Sequence, residues 1–400
     1  MIKKRETIIL SLACIPFTMV LGNSMLIPEL PRLAKNLEVS PLEIGLLISF
    51  FSLSGGISIP LLGYLSDKYN RKLILIYSLL IYGSGGIIAG LLSLTADPKY
   101  YSYILGARII QGFGAGGTYP LAIALAGDIF APQERKGVLG ILEAANAAGK
   151  VISPFLGALI ALFFWPGLFF IYAILTFPLA AIIYFVIPDS ETEFEEIDFT
   201  TYCSQIIAII AAQGKNFFIY LMTAVLVLLI QFGVLSFISE SLSRDYNLSG
   251  LKKAALIAVP IITMVITAYL VGNYLKRNSP PLNYLLSGGL FINGISLLTL
   301  PFLDGLRLYL VLIAALGIGG GIVLTVLNTI ITTSSSEAYR GGLTSIYGSM
   351  RFLGIALGPP TFTLLNKINT FTMFAAPALI ALILSFFSLF NLAAKKARYS

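Results

Sequence analysis

The sequence predicts an all-α membrane protein: twelve transmembrane helices in two pseudo-symmetric six-helix bundles. Three observations predict it. The chain is long but carries little charge, it breaks into apolar runs of bilayer-spanning length, and its first half maps onto its second. Of 400 residues, 57% are hydrophobic and 11% charged, against roughly 25% charged in an ordinary soluble domain. The mean hydropathy of +0.89 agrees. At roughly 20 residues per span plus short loops, a chain of this length holds about twelve.

The apolar runs fall at 7–28, 42–65, 73–94, 101–125, 137–164 and 167–187, then at 217–239, 254–275, 282–302, 306–332, 341–365 and 371–393. Only helices and closed barrels satisfy the backbone in lipid. Runs of this length without period-2 alternation are helices. Lys3, Lys4 and Arg5 precede the first run as in a signal peptide, but no small-residue cleavage site closes it, which predicts a retained span. The polar break between the sixth and seventh runs opens with Asp189, Glu191, Glu193, Glu195, Glu196 and Asp198. It reads as a solvated linker whose 202–212 stretch lies at the interface. The expected domains are an N-terminal bundle at 1–188, a cytoplasmic linker at 189–215 and a C-terminal bundle at 216–400.

Lys and Arg in short loops set orientation. Of the 26, 15 fall on the side of both termini, 8 on the other side and three within spans. Both termini are therefore expected in the cytoplasm, with the protein in the cell membrane. Glu29, at the end of the first span between Pro28 and Pro31, is expected as a solvated carboxylate that can line the outer vestibule. Lys253 counts among the outer-loop cations.

A shift of 205 positions places Gly112, Gly114 and Gly116 on Gly317, Gly319 and Gly321. It also places Arg135 on Arg340, Gly149 on Gly354 and Pro154 on Pro359. Parallel six-helix repeats are a recurring transporter plan, with the substrate near the midplane between halves. Composition also excludes chemistry. There is no His, hence no His-ligated metal, no Ser-His-Asp triad and no His proton relay. Cys14 and Cys203 cannot build a metal site or a disulfide framework, and are expected as buried apolar residues. No metal or cofactor is expected. The net charge of +7 is spread over loops rather than one soluble face, so nucleic acid is not an expected partner. The linker is too short for a soluble catalytic domain, which disfavours a membrane-embedded enzyme or sensor.

The loop after the second span carries Gly63, Leu65, Asp67, Lys68, Arg71 and Lys72. This resembles the signature loop of the major facilitator superfamily, Gly-x-Leu-x-Asp-(Arg/Lys)-x-Gly-Arg-(Arg/Lys). Asn70 stands where the family has Gly, and Asn tolerates a left-handed backbone. The resemblance implies a gating latch built from Asp67 and Arg71, with Asp128 as the partner by position. Arg108, Gln111 and Gly112 resemble the family's Arg-x-x-Gln-Gly motif, which is associated with proton coupling. Gly149, Pro154 and Gly157 resemble the antiporter motif, with Ser153 and Ala158 replacing glycines. That motif implies close helix packing and an exporter, as in twelve-span drug/proton antiporters.

Glu143, Asn146 and Lys150 fall at i, i+3 and i+7, on one helical face. The repeat places Asn146 on Arg351. Ionisable residues within spans mark function by default. The expected proton-coupling residues are Glu143 and Arg108, with Glu143 exchanging its pairing to Arg108 or Lys150. The expected substrate-binding residues are Asn146, Lys150 and Arg351. The resulting expectation is a monomeric secondary transporter that exports a small drug-like organic compound by proton antiport through alternating access, driven by the proton gradient. The cation excess within the spans supports an alternative, export of an anionic metabolite or siderophore.

Overall fold

The structure is a computed structural model and describes residues 2–95, 97–188, 198–278, 280–303, 305–333 and 337–396. Among these residues it holds thirteen α-helices: α1 Ile2–Ser24, α2 Leu30–Asn36, α3 Pro41–Lys68, α4 Arg71–Ser93, α5 Tyr101–Ile129, α6 Pro132–Phe163, α7 Gly167–Val186, α8 Phe199–Arg244, α9 Gly250–Arg277, α10 Leu282–Thr299, α11 Leu306–Thr333, α12 Glu337–Ile368 and α13 Thr370–Lys396. Among the described residues, eleven helices are long and apolar enough to cross a membrane. The 32-residue α12 is equally long but more polar. The short α2 follows a 3₁₀ turn at Ile27–Glu29. No run of apolar residues announced either element.

Local chemistry fixes the helix starts. Ser40 accepts from the Glu43 amide, Glu43 reaches back to the Ser40 amide at 2.8 Å, and Pro41 takes the first helical position. This reciprocal box satisfies two orphan donors. The linker helix and the seventh span form one element, α8, interrupted where Gly214 adopts φ +74°. The acidic run 189–197 and the Cys203 side chain lie outside the described residues.

The chain divides into two compact units. Unit 1 is Met1–Ala208 with Leu242–Ala254, and unit 2 is Ile209–Ser241 with Ala255–Ser400. The division thus differs from the sequence halves in assigning the α8–α9 turn to unit 1. In unit 1, α5 packs against α3 and α4, α4 against α7, and α1 against α6. Leu12, Leu75, Leu125, Leu142 and Ile183 are fully buried in its core. In unit 2, α10 packs against α11 and α13.

Glycine sets the helix spacing. A Cβ at Gly112 would collide with the Phe51 carbonyl oxygen of α3, and one at Gly116 with that of Gly55. In unit 2, a Cβ at Gly317 would collide with the Pro260 carbonyl oxygen of α9, and one at Gly321 would crowd that of Met264. Small residues let backbones approach where lipid gives no hydrophobic drive. Conversely, Ile57, Tyr77, Phe185, Tyr269, Val311 and Phe386 stand exposed, as lipid-facing side chains do. Cys14 is exposed as well, not buried as the sequence suggested.

Candidate functional site

Arg71 opens α4 and ties three elements together. Its Nη1 donates to both carboxylate oxygens of Asp128, at 2.7 and 2.8 Å, and its Nη2 donates to Asp67 at 2.7 Å. The forked guanidinium thus joins the end of α3 to the end of α5, the geometry for which Arg is suited. The structure therefore brings Asp67, Arg71 and Asp128 into one cluster. Asn70 works differently from the expectation. Its backbone is extended at φ −60° and ψ 113°, not left-handed, and its side chain accepts from the Leu73 amide at 3.2 Å. Asn replaces glycine here as a helix N-cap. Behind the loop, the Tyr64 ring meets Tyr202 of the linker helix at 5.2 Å. Lys72, largely buried, lies over the Tyr184 ring at 5.4 Å.

Arg108 is fully buried. Its Nε donates to Leu47 O at 3.1 Å, Nη1 to Gln111 Oε1 at 2.5 Å, and Nη2 to Gly22 O at 2.9 Å and Asn23 Oδ1 at 2.8 Å. The guanidinium lies 4.3 Å from the Phe51 ring centroid. Asn23 passes the network on to Ser52 at 2.6 Å. Tyr172 and Tyr82 hydrogen-bond the α1 carbonyls beside it and stack on each other at 5.4 Å. The expected pairing of Arg108 with Glu143 is therefore absent. Every partner of the guanidinium is neutral, and carbonyl and amide dipoles replace its hydration. A buried cation survives in a membrane only with such partners. Two of the four acceptors are backbone carbonyls, which no side-chain pattern reveals.

The α6 face carries the other polar residues. Glu143 is exposed and accepts a 2.5 Å hydrogen bond from the Tyr119 hydroxyl of α5. Asn146 is buried and Lys150 half-buried. Tyr119 was not anticipated from the sequence, because aromatics are too common in spans to single one out. On the same helix, a Cβ at Gly149 would crowd the Phe17 carbonyl oxygen, and one at Gly157 would collide with that of Met25. Pro154 is buried between them. The motif thus packs α6 against α1.

Arg351, in unit 2, is half-buried with its guanidinium 5.6 Å from the Tyr347 ring. Its Nε is buried without a hydrogen-bond partner, as is Nε2 of Gln231 on α8. Arg351 and Asn146 lie in different units, and each is placed by its own helix bundle. Two further residues depart from expectation. Glu29 is only 5% exposed and Lys253 only 3%, although both read as solvated. Burial of a loop charge depends on what folds over it, and no local signal encodes that.

The sequence profile described as the Major Facilitator Superfamily matches residues 12–359 and 220–398. Among curated proteins, the chain is 32% identical over 391 residues to the bacillibactin exporter of Bacillus subtilis (strain 168), covering 97% of each. It is 26% identical over 280 residues to multidrug resistance protein 2 of the same organism, covering 69% of this chain and 68% of the relative. Among solved structures, the human organic anion transporter MFSD10 matches with TM-score 0.71 at 17% identity, over 96% of this chain and 99% of its own. A bacterial homologue of the human lysosomal transporter Spinster matches with TM-score 0.72 at 16% identity, over 98% and 96%. Motifs, twelve long helices and these likenesses agree: the chain belongs to the major facilitator superfamily and is a multi-pass membrane transporter, not an enzyme.

Proposed function

We propose that the protein exports an anionic, oxygen-rich metabolite of the siderophore type in exchange for protons, by alternating access, as a monomer in the cell membrane with both termini cytoplasmic. The observation that carries this reading is the likeness to a bacillibactin exporter along 97% of both chains. The polar side chains of the spans agree with it in sign. Lys150 and Arg351 offer positive charge, and the unpartnered N–H groups of Arg351 and Gln231 seek an acceptor. A buried donor without a partner costs about 1–3 kcal/mol, which an oxygen-rich ligand recovers on binding.

The proton carrier in this reading is Glu143. In a chain without His, a carboxylate must take the part. Ionised, Glu143 accepts a charge-assisted hydrogen bond from Tyr119; protonated, it gains a donor and its hold on that hydroxyl weakens. Arg108 contributes through its hold on α1, at the Gly22 carbonyl and the Asn23 side chain, rather than through a carboxylate. The Arg71 cluster gates.

Inside-out vesicles test the reading. Bacillibactin should accumulate uphill when the lumen is acidified, and Glu143→Gln should abolish this at unchanged expression. Undiminished uphill transport in that variant would sink the assignment to Glu143. A double substitution, Lys150→Ala with Arg351→Ala, should weaken bacillibactin transport while sparing a cationic dye. Broad drug efflux is the second reading, favoured by the partial likeness to multidrug resistance protein 2. Transport of cationic dyes without transport of bacillibactin would establish it instead.

A further inference from the structure

The first turn of α8 is fixed by its own cap. Asp198 Oδ2 accepts from the Thr201 amide at 3.3 Å, and the Asp198 carbonyl accepts from the Tyr202 amide at 3.0 Å. Asp is a favoured residue at that place, and it sets the helical turn that carries Tyr202. Further along, Gly214 interrupts the path to the seventh span. Residues 199–208 group with unit 1.

Tyr202 reaches the last turns of α3. Its ring lies 5.2 Å from that of Tyr64, inclined by 49°, and Tyr64 is buried. A Cβ at Gly63 would lie 3.6 Å from the Tyr202 hydroxyl. Lys68 Nζ completes the cluster, 5.9 Å from the Tyr64 ring centroid and 5.8 Å from that of Tyr69. Tyr64, Asp67 and Lys68 fall at i, i+3 and i+4, on one side of the helix. The linker contact is therefore one helical turn from the carboxylate that Arg71 holds.

The latch is unequal on its two sides. The Asp67 side chain is 52% exposed and its bond to Arg71 spans i,i+4; exposed pairs of that kind contribute little. Asp128 is only 15% exposed and accepts from Arg71 through both oxygens. Arg71 thus stays anchored on α5, while the α3 turn depends on other contacts. A tilted aromatic pair adds to simple burial, and a cation near the ring adds again.

We propose that Tyr202 is a positioning residue of the gate: it straps the linker helix to Gly63 and Tyr64 and keeps the last turn of α3 where Asp67 shares Arg71 with Asp128. When the Tyr202 ring leaves Tyr64, the latch loses its α3 arm first. This rests on the gating reading above.

Hydrogen exchange of the full-length protein in lipid nanodiscs, without substrate, tests the strap, because exchange reports local opening. Tyr202→Ala should speed exchange at 66–73 by about twofold to tenfold, the range for a lost aromatic contact. The increase should spread to 127–131, at the end of α5, which Arg71 bridges to α3. Asp67→Ala cuts the bridge on its α3 side. In that background Tyr202→Ala should still speed 66–73 and no longer 127–131. Tyr202→Phe, which keeps the ring, should lie nearer the parent. In vesicles, Tyr202→Ala should lower the maximal rate of bacillibactin export and leave its KM, since the strap touches the gate and not the substrate. Unchanged exchange at 66–73 in Tyr202→Ala overturns the proposal. So does a spread to 127–131 that survives Asp67→Ala, or an equal rise in α10 that marks general loosening. If exchange responds as expected but Asp67→Ala exports at the parental rate, the gating reading falls while the strap stands.

Discussion

Units 1 and 2 share a packing plan and differ in what the plan carries. The register that lays Gly112 and Gly116 on Gly317 and Gly321 also lays Arg108 on Ile313, Gln111 on Leu316 and Asn23 on Leu228. All three counterparts in unit 2 are buried hydrophobics. The latch diverges likewise, Asp67, Arg71 and Asp128 falling on Gly272, Lys276 and Thr333. Even the packing exchanges partners. In unit 1, Gly157 of α6 lies under the Met25 carbonyl, whereas its counterpart Phe362 of α12 lies against Gly233 of α8. Backbone approach is what the repeat preserves, because a lost glycine forces helices apart. Among the described residues the Arg108 network has no counterpart at the equivalent positions of unit 2; in unit 1 it fixes α1, α3 and α5 to one another.

Substitution at Arg108 should break that asymmetry with the largest effect. Arg108→Leu strands the Gln111 and Asn23 acceptors, at about 1–3 kcal/mol each. Arg108→Lys should be worse, at about 3–5 kcal/mol, because an ammonium left buried without the guanidinium fork is a poorly compensated charge. At the equivalent site in unit 2, Ile313→Val should cost only about 0.5–1.5 kcal/mol. Thermal unfolding of the purified protein in detergent checks the order. A lysine variant as stable as the parent would show that the network is dispensable.

The same contrast explains what could be read in advance. Twelve spans were legible because apolar length is a property of contiguous residues. Their ends were less so. The fifth span read as 137–164 begins at Pro132, and the seventh continues to Arg244. The cluster of Asp67, Arg71 and Asp128 was legible through the resemblance of its loop to the family signature, with Asp128 placed by its position at the end of the fourth span. Partners of Arg108 were not, since Leu47 and Gly22 contribute carbonyl oxygens. Nor was the burial of Glu29 and Lys253, since composition does not report what packs over a charged residue.

Glycine substitutions should sharpen the shared half of the comparison. Gly112→Ala pushes a methyl group into the Phe51 carbonyl, and Gly317→Ala into that of Pro260. Neither backbone can swing aside as a flexible side chain does. Overpacking costs typically about 1–3 kcal/mol, and the two variants should lose similar stability in the same unfolding assay. A large loss at Gly112 with none at Gly317 would show that the repeat is preserved in sequence but not in mechanical role.

The smallest effect belongs to the loop where the two units part company. Asn70 caps α4, whereas its counterpart Leu275 lies inside an unbroken α9. Asn70→Gly, which restores the family pattern, should cost only a few tenths of a kcal/mol, and Asn70→Ala about 1 kcal/mol, because glycine leaves the Leu73 amide open to water while alanine also resists the cap geometry. The order Asn, Gly, Ala is the signature of an N-cap. A left-handed position would instead favour Gly over Asn, since Gly alone enters that region without steric cost. Melting temperatures of the three proteins therefore decide between the two roles. With φ at −60°, Asn should rank first.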